Sequence, residues 1–175
     1  MPIIRPLRGI SPKIGKNCFI AENAVIIGDV TIGDNCSIWY NVVLRGDVNT
    51  IKIGNNTNIQ DGVVIHTLYQ RSITEIGDNV SVGHNATVHG ACVKDNVLVG
   101  MGATLLDNSV VNEYTIIAAN ALITAGSILD SHSIYGGVPA KKIKELSPEQ
   151  AKEIIIRTAN GYRMYATWYD ESLTL

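Results

Sequence analysis

Aliphatic residues recur every six positions along most of the chain. Ile14, Ile20, Ile26, Ile32, Ile38 and Leu44 form a first run, and Ile53, Ile59 and Ile65 a second. Ile76, Val82 and Val88 follow. The pattern then loses one residue and continues through Val93, Val99, Leu105, Val111, Ile117, Ile123 and Leu129. The fourth residue after most of these is small or β-branched: Cys18, Ala24, Val30, Cys36, Val42, and later Ala86, Cys92, Ala103, Ser109, Thr115, Ala121 and Ser127. Turn formers lie between them, with "IGDN" at 32–35 and again at 76–79. A period of six fits neither a helix of 3.6 residues per turn nor a simple alternating strand. It fits a short strand and a corner, repeated, which is a β-helix built from hexapeptides.

The repeat stops at Leu146, where a helix is expected. Ser147 stands at the cap, Pro148 at the first helical position and Gln150 where a capping box needs it. Ala151, Ile155, Thr158, Tyr162, Tyr165 and Tyr169 make a stripe at helical spacing that should lie along the solenoid. Gly161 within it costs about 1 kcal/mol relative to alanine, and marks a place for a bend or a close contact. The expected organisation is a repeat domain over 1–146 and a helix over 147–175 packed on it, one domain overall.

Composition narrows the function classes. A net charge of −2, with 14 Lys and Arg scattered over 175 residues, leaves no basic stripe for nucleic acid. No apolar run approaches the roughly 18 residues of a membrane helix. The N-terminal segment, with two prolines and interrupted apolar runs, reads as neither a secretion signal nor an anchor, so the expectation is a soluble, cytoplasmic protein. Three cysteines without a C-x-x-C spacing support neither a disulfide framework nor a cysteine zinc site. All three are read as small inward residues of the repeat. The N-x-S/T triplets at Asn35, Asn55, Asn79 and Asn85 are read as by-products of the repeat.

Four histidines carry the remaining chemistry. With three hexapeptides to a triangular coil, the nine-residue step from Leu44 to Ile53 holds three extra residues. The eleven-residue step from Ile65 to Ile76 holds a loop around Tyr69-Gln70-Arg71. Setting these aside, Arg45, His66 and His89 stack in one corner column. His84 falls on a different corner, above Asp61 and close to Gln60. Neighbouring coils lie about 4.8 Å apart, so His66 and His89 can share a metal. Five extended residues span about 16 Å, too far for His84 and His89 to meet on one zinc with bonds of about 2.0–2.1 Å. If all three serve one metal, His84 must come from a neighbouring chain. A threefold oligomer is the simplest closed arrangement that does this, and a monomer should then lose the metal. His132, in "LDSHSI", reads as a polar turn residue.

The repeat, "RGD" at 45–47, "IQDGVVIH" at 59–66, "GHNATVHG" at 83–90 and "YGGVPAKKIKEL" at 135–146 resemble the γ-class carbonic anhydrase family over nearly the whole chain. The resemblance implies a left-handed parallel β-helix with a C-terminal helix. It also implies a homotrimer with metal sites between subunits, and reversible hydration of CO2 to bicarbonate. It carries His66, His84 and His89 over as metal ligands and Gln60 as the residue that orients metal-bound solvent. Arg45, Asp47 and Asp61 become charged interface residues, and Tyr162 falls where the family places a polar side chain over the metal. Three neutral histidines suit zinc, iron or cobalt. On zinc they leave an open position for a water whose pKa falls to about 7. The chain departs from the family at Val48, where active members carry glutamate. The loop "TLYQRSIT" also lacks a carboxylate until Glu75, which weakens the expectation of fast turnover. Two alternatives stay open. One is a hexapeptide acyl-CoA transferase, with His132 or His66 as its base. The other is a non-catalytic, metal-stabilised assembly protein.

Overall fold

The computed structural model describes residues 1–174. The chain winds as a left-handed parallel β-helix of about seven turns, followed by one C-terminal helix. The six-residue period sets its geometry, since each hexapeptide supplies one short strand of one face and one corner. The first face stacks Phe19–Ile20, Ser37–Ile38, Asn58–Ile59, Ser81–Val82, Leu98–Val99, Ile116–Ile117 and Ser133–Gly137 in parallel register. The second holds Val64–His66, Thr87–His89, Thr104–Leu105 and Leu122–Ile123. The third holds Thr74–Ile76, Cys92–Val93, Val110–Val111 and Ile128–Leu129. Two longer strands, Val25–Ile32 and Val43–Ile53, run through the corner between second and third faces. Their register slips there: Gly28 faces Gly46 and Val30 faces Ile51, so residues 47–50 take up the three-residue excess.

The periodic aliphatics point inward and form a single column. Ile26, Leu44, Ile65, Val88, Leu105 and Ile117 are fully buried, as are Ala24, Val42, Ala86, Ala103 and Ala121 beside them. One expectation fails at the missing residue. Cys36 is inward and buried and Cys18 partly so, but Cys92 pairs with Glu75 and Val110 on the outer side of its strand while Val93 points in. The step from Val88 to Val93 is one residue short, so Ala91, fully buried, takes the inward small position and Cys92 turns outward.

The corners explain the asparagines. Asn17, Asn35, Asn56, Asn79 and Asn96 have φ between 54° and 57°, a left-handed conformation asparagine tolerates better than most residues. Side-chain amides run along the column, Asn17 to Asn35 at 2.8 Å and Asn79 to Asn96 at 3.2 Å. Three of the four N-x-S/T triplets start on such a corner residue. Tyr114 and His132 continue the column with φ of 55° and 51° and stacked rings, so His132 is the turn residue its context suggested.

The helical segment departs from expectation in two ways. Its start is as read: Gln150 N–H donates to Ser147 Oγ at 3.3 Å, and Ser147 N–H donates to Gln150 Oε1 at 3.2 Å. The turn Lys152–Ile156 is a wide π-turn, however, and Gly161 lies in the regular helix Arg157–Tyr169 that follows. The buried face is Ala151, Ile155, Ala159 and Ala166, with Tyr162 half-buried; Tyr165 and Tyr169 sit at its edge and are exposed. Alanines let the helix approach the flat first face, which phenol rings would hold off. The helix runs back along the solenoid, its start packed on Leu98, Ile116 and Ile134 and its end on Phe19 and Trp39. Thr174 then ties to Asn17 of the first coil by paired hydrogen bonds of 2.8 and 2.9 Å. Before the helix, the repeat ends earlier than Leu146. Ala140–Glu145 turns back antiparallel on Ser133–Gly137 and closes the last coil. No helix among the described residues is long and apolar enough to cross a membrane.

Two stability outcomes follow. Asn96→Ala should lower unfolding free energy by about 1–2 kcal/mol while Asn96→Gly costs far less, as read by denaturant titration. A Cβ at Gly161 would meet Tyr165 at an ordinary 3.7 Å. Gly161→Ala should therefore raise stability by about 1 kcal/mol.

Candidate metal centre

The corner after the second face brings Arg45, His66 and His89 into the predicted column, because Leu44 pairs with Ile65 and His66 with His89. The loop between them leaves where the spacing placed it, with Tyr69 and Arg71 exposed and Gln70 at φ 54°. His66 Nδ1 and His89 Nε2 face each other at 3.2 Å. Their other ring nitrogens are both taken by carboxylates, His66 Nε2 by Asp47 at 2.9 Å and His89 Nδ1 by both oxygens of Asp107 at 3.0 Å. A neutral imidazole has one N–H. If each donates it to its carboxylate, two bare lone pairs are left pointing at one another. Two nitrogens bound tetrahedrally to one zinc at about 2.0–2.1 Å lie about 3.3–3.4 Å apart, close to the spacing here.

His84 occupies the corner before the second face, as the side count required. Its Nδ1 meets Asp61 at 2.9 Å, and the Tyr162 hydroxyl lies 3.2 Å from its Nε2. Each of the three histidines therefore has one nitrogen on an aspartate, the arrangement that orients metal-ligating imidazoles and raises their basicity. Among the described residues, no three or more His, Cys, Asp or Glu side chains gather within one chain so as to hold a metal.

The supporting groups are fixed by packing. Gln60 is buried and its amide N–H donates to Asn58 Oδ1 at 3.0 Å, while the Asn58 amide donates to Ser81 Oγ at 2.7 Å. Arg45 pairs with Asp47 within the chain, and Asp61 pairs with His84. Burial pushes the Asp47 carboxyl up, but hydrogen bonds from Arg45 and His66 outweigh it and hold the group below the usual carboxylate range. Asp107 is held low in the same way by Ser72 and His89 against its burial. Burial, with Asp61 and Tyr165 nearby, pushes the Tyr162 phenol up, so it stays a neutral hydroxyl. Tyr162 also packs edge-on against Trp39, ring centroids 5.5 Å apart.

Sequence reasoning missed Asp107, Ser72 and Asn58. Asp107 carried a usable signal, lying 18 residues beyond His89, one coil on. Ser72 carried none, because it belongs to the loop that the periodicity had to set aside.

Comparison with known proteins fits this architecture. The family "Bacterial transferase hexapeptide (six repeats)" matches residues 11–46, and "Hexapeptide repeat of succinyl-transferase" matches 73–107. The chain is 51% identical to "Probable carbonic anhydrase" of Methanocaldococcus jannaschii, over 81% of this chain and 88% of that protein. It is 46% identical to "Gamma carbonic anhydrase 2, mitochondrial" of Arabidopsis thaliana over 80% of this chain, and spans 52% of that longer protein. The crystal structure of a hexapeptide transferase family protein from Anaplasma phagocytophilum superposes with a TM-score of 0.90 at 40% identity, covering 95% of this chain and 98% of that one. With a repeat, register and histidine placement common to fold and sequence, the chain belongs to the γ-class carbonic anhydrase family of hexapeptide-repeat proteins.

Proposed function

We propose that this protein is a carbonic anhydrase that hydrates CO2 reversibly to bicarbonate. Its sites lie between the subunits of a homotrimer, where His66 and His89 of one chain and His84 of a neighbour hold zinc, with iron or cobalt as the other candidates. The observation that carries this reading is the pair of ring nitrogens 3.2 Å apart, each backed by an aspartate. When bound, zinc acidifies a coordinated water from a pKa of about 15.7 to about 7 and so supplies a nucleophile at neutral pH.

The chain's own groups do the rest. Asp47, Asp107 and Asp61 hold the far nitrogens of the three imidazoles, fix their tautomers and keep the near nitrogens free to coordinate. Gln60, anchored by Asn58, orients solvent by hydrogen bonding from a buried position. The Tyr162 hydroxyl stands beside His84 Nε2, close enough to contact whatever occupies the site. Proton export is the weak point. Val48 offers no carboxylate, and Glu75, the first carboxylate after His66 in sequence, is engaged by Lys52 at 3.3 Å on the third face.

A transferase reading draws on the name of the Anaplasma protein. A general base needs a ring nitrogen free to reach an acceptor substrate, whereas here the free nitrogens of His66 and His89 face each other.

Stopped-flow CO2 hydration by zinc-loaded protein should show turnover, lost at least 100-fold in His84→Ala together with bound zinc. Co-expressing His84→Ala with His66→Ala should restore part of it, because mixed assemblies rebuild sites from the intact halves. No rescue would remove the intersubunit arrangement, and stoichiometric zinc without turnover would favour the assembly role. Turnover should also rise with imidazole buffer concentration; a rate independent of buffer would show that proton export does not limit it.

A further inference from the structure

The loop between His66 and Thr74 does not hang free of the site. Leu68 N–H donates to Ser72 Oγ at 2.9 Å, and Ser72 Oγ donates to Asp107 Oδ1 at 2.5 Å. Asp107 in turn takes His89 Nδ1 on both oxygens. Thr74 Oγ1 donates to the His66 carbonyl at 2.8 Å and accepts from Gly90 N–H at 3.0 Å, stapling the end of the loop to the backbone beside both histidines. Gly90, at φ 61°, is the contact that permits this. A Cβ there would collide with Ser72 Oγ and Asp107 Oδ1. Three coils converge on one imidazole: the loop leaving one coil, His89 and Gly90 on the next, and Asp107 on the one after.

We infer that Asp107 is a positioning residue that fixes His89 as the Nδ1–H tautomer and aims its Nε2 at His66, and that Ser72 carries the loop's hold on that aspartate. The consequence for metal binding rests on the function proposed above; the tautomer does not. The ionised Asp107 carboxylate is acceptor-only, so His89 can meet only an acceptor there, and the Ser72 hydroxyl donates to the same carboxylate at Oδ1. Replacing Asp107 by asparagine reverses this. The amide oxygen stays with the Ser72 hydroxyl and the amide N–H2 faces His89, which then accepts at Nδ1 and carries its proton on Nε2. Such a swap removes the coordinating lone pair while leaving the fold and the shape of the site unchanged.

The test has two arms. The first is the imidazole nitrogen spectrum of the metal-free assembly, wild type against Asp107→Asn and Asp107→Ala. Wild type should show His89 protonated on Nδ1, Asp107→Asn should move the proton to Nε2, and Asp107→Ala should give a mixture. The second is zinc competition against a chromophoric chelator. Both Asp107 variants should bind 10–100-fold more weakly, and Ser72→Ala several-fold more weakly, with unchanged oligomeric state. A wild-type His89 spectrum in Asp107→Asn would overturn the inference, whatever the zinc result. If wild type itself fails to take up zinc, the metal reading falls while the spectral arm still decides the role of Asp107.

Discussion

Everything in this molecule depends on the stacking of one coil on the next at the spacing of a parallel β-ladder. Backbone hydrogen bonds fix that spacing at about 4.8 Å and the register to the residue. A side chain at one position of a coil therefore lies directly over its counterpart in the neighbouring coil. The inward column of isoleucines, valines and leucines supplies the hydrophobic stabilisation, and the asparagine corners supply turns that let each coil close. The candidate centre uses the same stacking. His66 and His89 come from different coils, 23 residues apart in sequence, yet sit side by side because the ladder puts them there.

That constraint also explains what the sequence disclosed. Ile14 to Leu129 repeat at six because the coil repeats, so the fold class and the inward residues were readable. The Arg45–His66–His89 column followed once the loop at Tyr69–Arg71 was set aside. The same logic failed where the period itself slips. Between Val88 and Val93 a residue is missing, and counting forward from Val88 put Cys92 inside, where Ala91 stands. The helix hid its buried face because bulky tyrosines and small alanines both satisfy helical spacing. Which of them faces the sheet depends on how closely the helix can approach, and on a π-turn at Lys152–Ile156 that no residue in that stretch announces. The groups behind the histidines were hardest to see. Ser72 reaches Asp107 across 35 residues, from a loop with no place in the repeat.

A single chain carries two unlike halves of the candidate centre. One corner offers two imidazoles with converging lone pairs; the other offers one imidazole beside a neutral phenol. Each histidine is held by an aspartate, and Asp47 and Asp107 are each held in turn by a further donor.

The last coil has a further role. A parallel solenoid ends in an open strand edge, and such an edge is a template on which another molecule's strand can grow. Here Ala140–Glu145 folds back antiparallel over Ser133–Gly137 and leaves Lys141 and Lys144 exposed, while Lys142 pairs with Asp130 and Glu145. Antiparallel direction breaks the pattern that an incoming strand would need to continue on this face. The hairpin thus ends the parallel pattern of the first face, while Leu122–Ile123 and Ile128–Leu129 remain the last strands of the other two.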